Sequence, residues 1–575
     1  MKFIITPSYE DIFNDIRPEI SELLSDIPSS VVLRMLAYLD CQLFLDEKIQ
    51  NQFKLLKELL KRQKIETIIS LMHNYGVIKK NAETKDISVL SRLHLKAFIH
   101  YELVNYREAS MIDDTSPIQE LNIFKAYIII ASIKNSEMHS VSRKNEDDIE
   151  GEFFPTHTWP AIINQFDANV LINPIPNIIR GICLLNYIQY HSNYSYYVDR
   201  FLQKRGCTNS WEYVIMLSET IQLSWNKNEN NGETKAYYFT CDEKFNALFD
   251  FFSVNPNEYR NRYLNKKEEY SLLKSKPLFK FEKRYYVLDW NFIPNKIYEG
   301  LIFDFYNDSG IKEMQLFNSI PKFKKFIGYE ITEKFIFRTI LKAIFNDKYG
   351  KLLFFDTDSN GEPDAYYRKG NNIILLEIKD SYFPTSAIKS STYKVIKEAI
   401  DEKYNNIKKG TGQLVKQLNK LKCNSFETTD YNSLKIKPRN FNIYPILIYT
   451  DKFYGMDGVS NYLIDELNNR IDQTDIRKPF KRINNLTFLS LDYMITHSKF
   501  LSNNNIMVVL DKLHKIINDR KKKTERIKEV SVLHKYNESM EQILMESYET
   551  DNADEMDIGK IVTSLNMTEG LPKGE

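Results

Sequence analysis

The stretch that decides the fold is Pro363-Asp364-Ala365-Tyr366-Tyr367-Arg368-Lys369-Gly370-Asn371-Asn372-Ile373-Ile374-Leu375-Leu376-Glu377-Ile378-Lys379. Its second half, rich in Ile and Leu and preceded by turn residues at Lys369–Asn372, predicts a buried strand. Side chains alternate faces along a strand. Ile373, Leu375, Glu377 and Lys379 therefore share one face, and Ile374, Leu376 and Ile378 the other. Two charges end an otherwise apolar face. Buried charge requires a partner, which here is a metal, a substrate or each other. A hairpin at the turn returns Asp364 to the neighbouring strand beside Glu377. Two carboxylates and an ammonium at one sheet edge suit a hard divalent cation and a phosphodiester.

Around this stretch the sequence reads as strand and helix in alternation. Lys351–Phe355 is an expected strand. It runs into Asp356-Thr357-Asp358-Ser359-Asn360-Gly361. Those residues match the first half of a calcium loop, but Tyr367 stands where a bidentate Glu is needed, so the expectation is an Asx-rich turn. Lys324–Phe345 is an expected helix, with Ile336, Ile340 and Ile344 on one face and Glu333 at the head of that stripe. Glu is also at home in a first helical turn for reasons unconnected with chemistry. Ser386–Lys422 reads as helix and carries nine lysines against three acids, a local basic concentration of the kind phosphate contact requires. Phe441–Thr450 is a further strand, with Pro445 marking its start or an edge position. Val459–Arg470 is a helix and Leu486–Leu491 a last strand.

Pro363-Asp364 followed by Glu377-Ile378-Lys379 resembles the signature of the PD-(D/E)xK nuclease superfamily, and residues 311–500 follow that family's order of elements. The resemblance implies a restriction-endonuclease-like α/β core, a mixed central sheet flanked by helices, within an α+β multidomain chain. It also implies Mg2+-dependent cleavage (Mn2+ as a substitute) with water as nucleophile. By the same resemblance Asp364, Glu377 and the Ile378 carbonyl hold the metal. Glu333, with Glu330 as second choice, assists from the preceding helix, and Lys379 orients water or neutralises the phosphorane. Gln413, in the Gly412-Gln413-Leu414 and Gln417 neighbourhood, corresponds to a helix Gln seen in some branches.

Composition narrows the rest. The chain of 575 residues is long enough for roughly two to four domains. A formal net charge of +1 gives no global field for nucleic acid, so binding must be local. The five cysteines form no C-x-x-C pair, which fits a reducing compartment. No run reaches the ~20 apolar residues of a membrane span. The expected location is cytoplasmic, with no membrane partner.

Residues 1–230 are expected to be a helical regulatory or partner-binding region, with His94 and His100 as ordinary histidines and Asn173–Asn177 as a Pro-rich loop. Residues 231–310 read as a β-containing connector, 311–500 as the nuclease domain and 501–575 as a charged helical tail. The expected function is a metal-dependent endonuclease acting on DNA, by analogy of architecture in bacterial defence or restriction. The alternatives are a catalytically silent interaction or nucleic-acid-binding protein and an RNA nuclease. A homodimer, or a separate ATPase subunit, is an open partner, because the chain has no G-x-x-x-x-G-K-[ST] motif.

Overall fold

The computed structural model describes residues 7–13, 15–45, 52–64, 66–67, 69–71, 89–108, 115–144, 153–169, 173–225, 237–264, 270–355, 361–423, 438–527, 529–548 and 563. The Asx-rich stretch 356–360 and the polar segment 226–234 lie outside them.

The chain forms two compact units. One draws on Met1–Ser140 and Gln165–Ile320, the other on Val141–Asn164 and Pro321–Glu569. The expected border near residue 230 is therefore not a border of either unit. The reason is packing. The Ser29–Leu45, Arg92–Val104 and Pro117–Lys144 helices share one core with a small antiparallel sheet of β1 (Tyr238–Phe239), β2 (Leu278–Phe281) and β3 (Arg284–Val287). Leu33, Leu95, Phe98 and Tyr127 meet Phe279, Tyr286 and Leu288 in that core. Asn173–Asn177 is not a loop. Asn173 caps the Pro174–His191 helix by accepting from Ile175 N at 3.0 Å, and Pro174 takes the first turn, where a missing N–H costs nothing.

This first unit also buries an ion network. Arg92 Nε donates to Asp40 at 2.9 Å and Arg92 Nη2 reaches Asp289 at 3.2 Å, while Lys96 Nζ lies 2.7 Å from Asp289. Arg92 and Lys96 stand one helical turn apart, so one helix face supplies both cations. Burial holds Asp40 above the usual carboxylate range, with Asp289 adding to it and Arg92 opposing it.

The second unit is built on a mixed sheet ordered β4 (Gly350–Phe354), β5 (Ala365–Lys369), β6 (Asn372–Lys379), β7 (Asn442–Tyr449), β8 (Arg482–Ile483), with β9 (Thr487–Ser490) also on β7. The pairs β4–β5 and β5–β6 are antiparallel; β7 runs parallel to β6, β8 and β9. Pro445 is thus in a central strand, not at a start or edge. It is tolerated because β8 pairs with Asn442 and Ile443 while β9 begins at Ile446, so Pro445 falls in the gap between the two ladders.

Helices cover this sheet. The expected Lys324–Phe345 helix is continuous but changes winding: Ile320–Phe326 is α, Ile327–Phe337 is π and Arg338–Ile344 is α again. Ser386–Lys422 is not one helix but three, Thr385–Ser390, Tyr393–Tyr404 and Thr411–Lys422. The breaks fall at Ser391 (φ 52°) and Gly410 (φ 58°), and a Cβ on Gly410 would meet Tyr404 O at 2.1 Å. The described part of the tail belongs to this unit. Phe488 N, on β9, donates to Met540 Sδ at 3.1 Å, and Glu541 accepts from Tyr449 OH at 2.9 Å and Ser490 N at 2.5 Å. Among the described residues no helix is long and apolar enough to cross a membrane.

Two stability predictions follow from buried charge. Asp289→Ala removes the buried carboxylate that Arg92 and Lys96 share and should lower the unfolding free energy by about 3–5 kcal/mol in urea titrations. His514, in the Ile506–Arg526 helix beside Thr487 Oγ1 at 3.1 Å, is pushed down to about 4, chiefly by burial, with Asp511 opposing and Arg482 assisting. Its folded value lies below the unfolded one, so the unfolded chain takes up the proton first as pH falls. That contribution is complete above about pH 6.5 and is lost toward pH 4. The gap in melting temperature between wild type and His514→Gln should therefore narrow from about pH 7 to about pH 5.

Candidate functional site

The site starts from a hairpin. Gly370 (φ 58°) and Asn371 make the turn between β5 and β6, and the pairing Lys369↔Asn372 sets the register. That register runs to Ala365↔Leu376, so Asp364 stands one step further, abreast of Glu377. Asp364 Oδ2 accepts from Ile378 N at 2.7 Å. The hairpin thus delivers Asp364 to the strand end, and a backbone amide holds it there.

Glu377 has no exposed surface. One of its oxygens takes the ammonium of Lys379, on the same strand face, and the other accepts from Gln417 Nε2 at 2.7 Å. Lys379 keeps about a fifth of its side chain in solvent (22%), so the pair has one buried end and one open end.

The charges act on one another. Burial raises the Asp364 carboxyl most, and the charges of Glu377 and Glu333 raise it further. Lys379 and the Ile378 amide oppose them without cancelling, and Asp364 ends well above the ordinary carboxylate range. For Lys379, burial alone would lower the ammonium, but Glu377, Asp364 and Glu333 outweigh it and the net direction is up. Lys379 is therefore a held cation, suited to donate and to neutralise rather than to abstract a proton.

Asp364, Glu377 and Lys379 are thus brought together, with Glu333 in electrostatic reach of Asp364 and Lys379. Glu330 instead meets Lys334 at 3.4 Å. The four-ligand set of Asp364, Glu377, Glu333 and Ile378 is not a closed cage. Among the described residues no three His, Cys, Asp or Glu side chains are gathered so that they could hold a metal ion. Glu377 is drawn onto Lys379 and Gln417, and Asp364 onto the Ile378 amide. What remains fits a Mg2+-like ion, which takes one or two carboxylates and keeps waters and phosphate oxygens for its other positions. A carboxyl pushed upward by burial and by the neighbouring Glu377 is what such an ion would relieve.

Gln413 is half-buried, and the structure gives it no hydrogen bond to this site among the described residues. The Thr411–Lys422 helix turns Gln417 inward instead, where it also reaches Glu362 O at 3.4 Å. The signal that favours Gln417 over Gln413 lies in the helix's apolar stripe: Leu414, Leu418 and Leu421 are buried, and Gln417 sits among them. Lys420, on the next turn, lies against Gly361, its Cε 3.8 Å from where a Cβ would stand. Asp380 also escaped sequence reasoning, because a charge just after a strand usually marks the way out to solvent. Its side chain is instead only 7% exposed.

No family model matches the chain, and no curated protein or solved structure matches it. The assignment of these glutamines is open to a direct check. Gln417→Leu leaves a buried Glu377 oxygen without its donor and should cost about 1–3 kcal/mol of stability. Gln413→Leu should stay within about 0.5 kcal/mol of wild type in the same urea titration.

Proposed function

We propose that this chain is a divalent-metal-dependent endonuclease that hydrolyses phosphodiester bonds of DNA. The observation that carries the reading is the convergence of Asp364, Glu377 and Lys379 at one end of a mixed sheet. Asp364 and Glu377 would hold the ion, Mg2+ or in its place Mn2+. A cation bound there polarises a phosphate oxygen and makes water more acidic. Lys379 supplies a fixed ammonium where negative charge builds on the phosphate, and its partial exposure lets a substrate oxygen compete for it. Gln417 holds Glu377 from the buried side, so the carboxylate can turn toward an ion without losing every partner.

The lysines beside the site supply the local basic surface that a near-neutral chain needs for DNA. Lys397, Lys403 and Lys422 are engaged with Asp401, Glu402 and Asp475. Lys394, Lys408, Lys409 and Lys416 point to solvent. Those four are the phosphate-contacting candidates. By analogy of architecture, the proposed role is in bacterial defence or restriction.

One observation favours a second reading, a catalytically silent interaction protein. Glu377 and Lys379 satisfy each other, as a structural pair would. The two readings part on metal: a working site binds Mn2+ through Asp364, whereas a structural pair binds none.

Supercoiled plasmid incubated with the protein and Mg2+ should be nicked or linearised, and EDTA should stop it. Lys379→Ala should lower the rate by about 10²–10³-fold while the protein stays folded. Cleavage by Lys379→Ala at the wild-type rate would sink this mechanism. Cleavage of RNA but not plasmid would move the substrate class.

A further inference from the structure

The residue after Lys379 is built into the opposite face of the strand end. Asp380 Oδ1 accepts from Lys324 Nζ at 3.2 Å and from Thr450 Oγ1 at 2.8 Å, and Oδ2 accepts from Thr332 Oγ1 at 2.9 Å. Three elements meet on this one carboxylate: the helix entering the π-wound segment, the π-wound segment itself and the end of β7. Thr332 is fully buried and Thr450 nearly so. Gly328 completes the cradle, since a Cβ there would stand 3.2 Å from Asp380 Oδ2. Lys324, Gly328 and Thr332 recur every fourth residue, and all three lie against Asp380.

We infer that Asp380 is a positioning residue for the carboxylate site: through Thr332 it fixes the π-wound segment against β6 so that Glu333 is presented to Asp364 and Lys379. This inference rests on the metal-site reading above. Glu333 follows Thr332 directly and Lys379 directly precedes Asp380, so the Thr332–Asp380 hydrogen bond at 2.9 Å ties the backbone that carries Glu333 to the backbone that carries Lys379. A carboxylate at the rim of a site contributes only if its backbone cannot drift, and outer partners of this kind typically change metal affinity by about 10–100-fold. Helix segments of π winding are uncommon and concentrate at functional sites, where they re-aim a side chain. Here the segment is pinned to the strand that carries Glu377 and Lys379 by a buried, triply bonded carboxylate.

The experiment is a double-mutant cycle read by Mn2+ calorimetry and thermal melting on the full chain. Thr332→Val removes only the hydroxyl that Asp380 holds, and Glu333→Gln removes the charge it is said to place. Each should weaken Mn2+ binding by about 10–100-fold. The double variant should be no weaker than the weaker single, because the two act on one interaction. Thr332→Ser should retain wild-type affinity. Asp380→Asn, which keeps the shape but one acceptor fewer, should behave as Thr332→Val does.

Wild-type affinity in a folded Thr332→Val, or losses that multiply in the double variant, would overturn the role. So would unfolding of both Thr332→Val and Asp380→Asn, which would make Asp380 structural alone. Because binding is read directly, a chain that takes up Mn2+ but cleaves neither plasmid nor RNA sinks the nuclease reading and still decides positioning. A chain that binds no Mn2+ overturns both.

Discussion

A carboxylate with no exposed surface sets the terms for the second unit. Glu377 sits on the central strand pair, and taking its charge out of water is worth several kcal/mol against the fold unless it is compensated. Compensation comes from two directions. Lys379 comes from the same strand two residues on, and Gln417 from a helix laid over the sheet. The strand alternation needed to place Lys379 also places Ile378 so that its amide takes Asp364. One local geometry thus serves three polar groups. The Lys379 ammonium stays between them as a cation that solvent still reaches. Packing the Thr411–Lys422 helix correctly is as necessary to this arrangement as the strand itself.

Much of this was legible in the residues. A run of Ile and Leu after a Lys-Gly-Asn-Asn turn has few ways to fold, and period-two alternation then assigns Glu377 and Lys379 to one face. The position of Asp364 follows from turn length alone. What was not legible depended on tertiary partners. Gln413 and Gln417 stand at i and i+4 on one helix, and only the depth of the second distinguishes them. Pro445 looked like an edge signal because the split between β8 and β9 is a property of two other strands. Asp380 looked like a surface charge because the groups that hold it, Lys324, Thr332 and Thr450, are far away in sequence. The π winding leaves no composition signal: its residues, Ile-Gly-Tyr-Glu-Ile-Thr-Glu-Lys-Phe-Ile-Phe, suit an α-helix equally.

The first unit shows the same economy with a different outcome. Arg92 and Lys96 from one helix meet Asp40 and Asp289 from separate elements, and the amides of Trp290 and Asn291 donate to the same two carboxylates. Such networks add little stability over apolar packing, yet they punish any alternative arrangement of the helices. They explain why the small sheet at Tyr238–Val287 belongs with the helices that precede it. Separating them would uncover ions as well as leucines.

Glu541 bears on how the molecule is made. It holds Tyr449, the register partner of Lys379 across β6 and β7, together with the amide of Ser490. In the order of synthesis, the strands are therefore complete long before their ends are tied. A stop codon, a fusion joint or a protease cut ahead of Met540 would remove both ties at once while leaving every residue of the carboxylate site in the chain. The finished state of the sheet waits on a residue made 51 positions after Ser490, where its last strand has already ended.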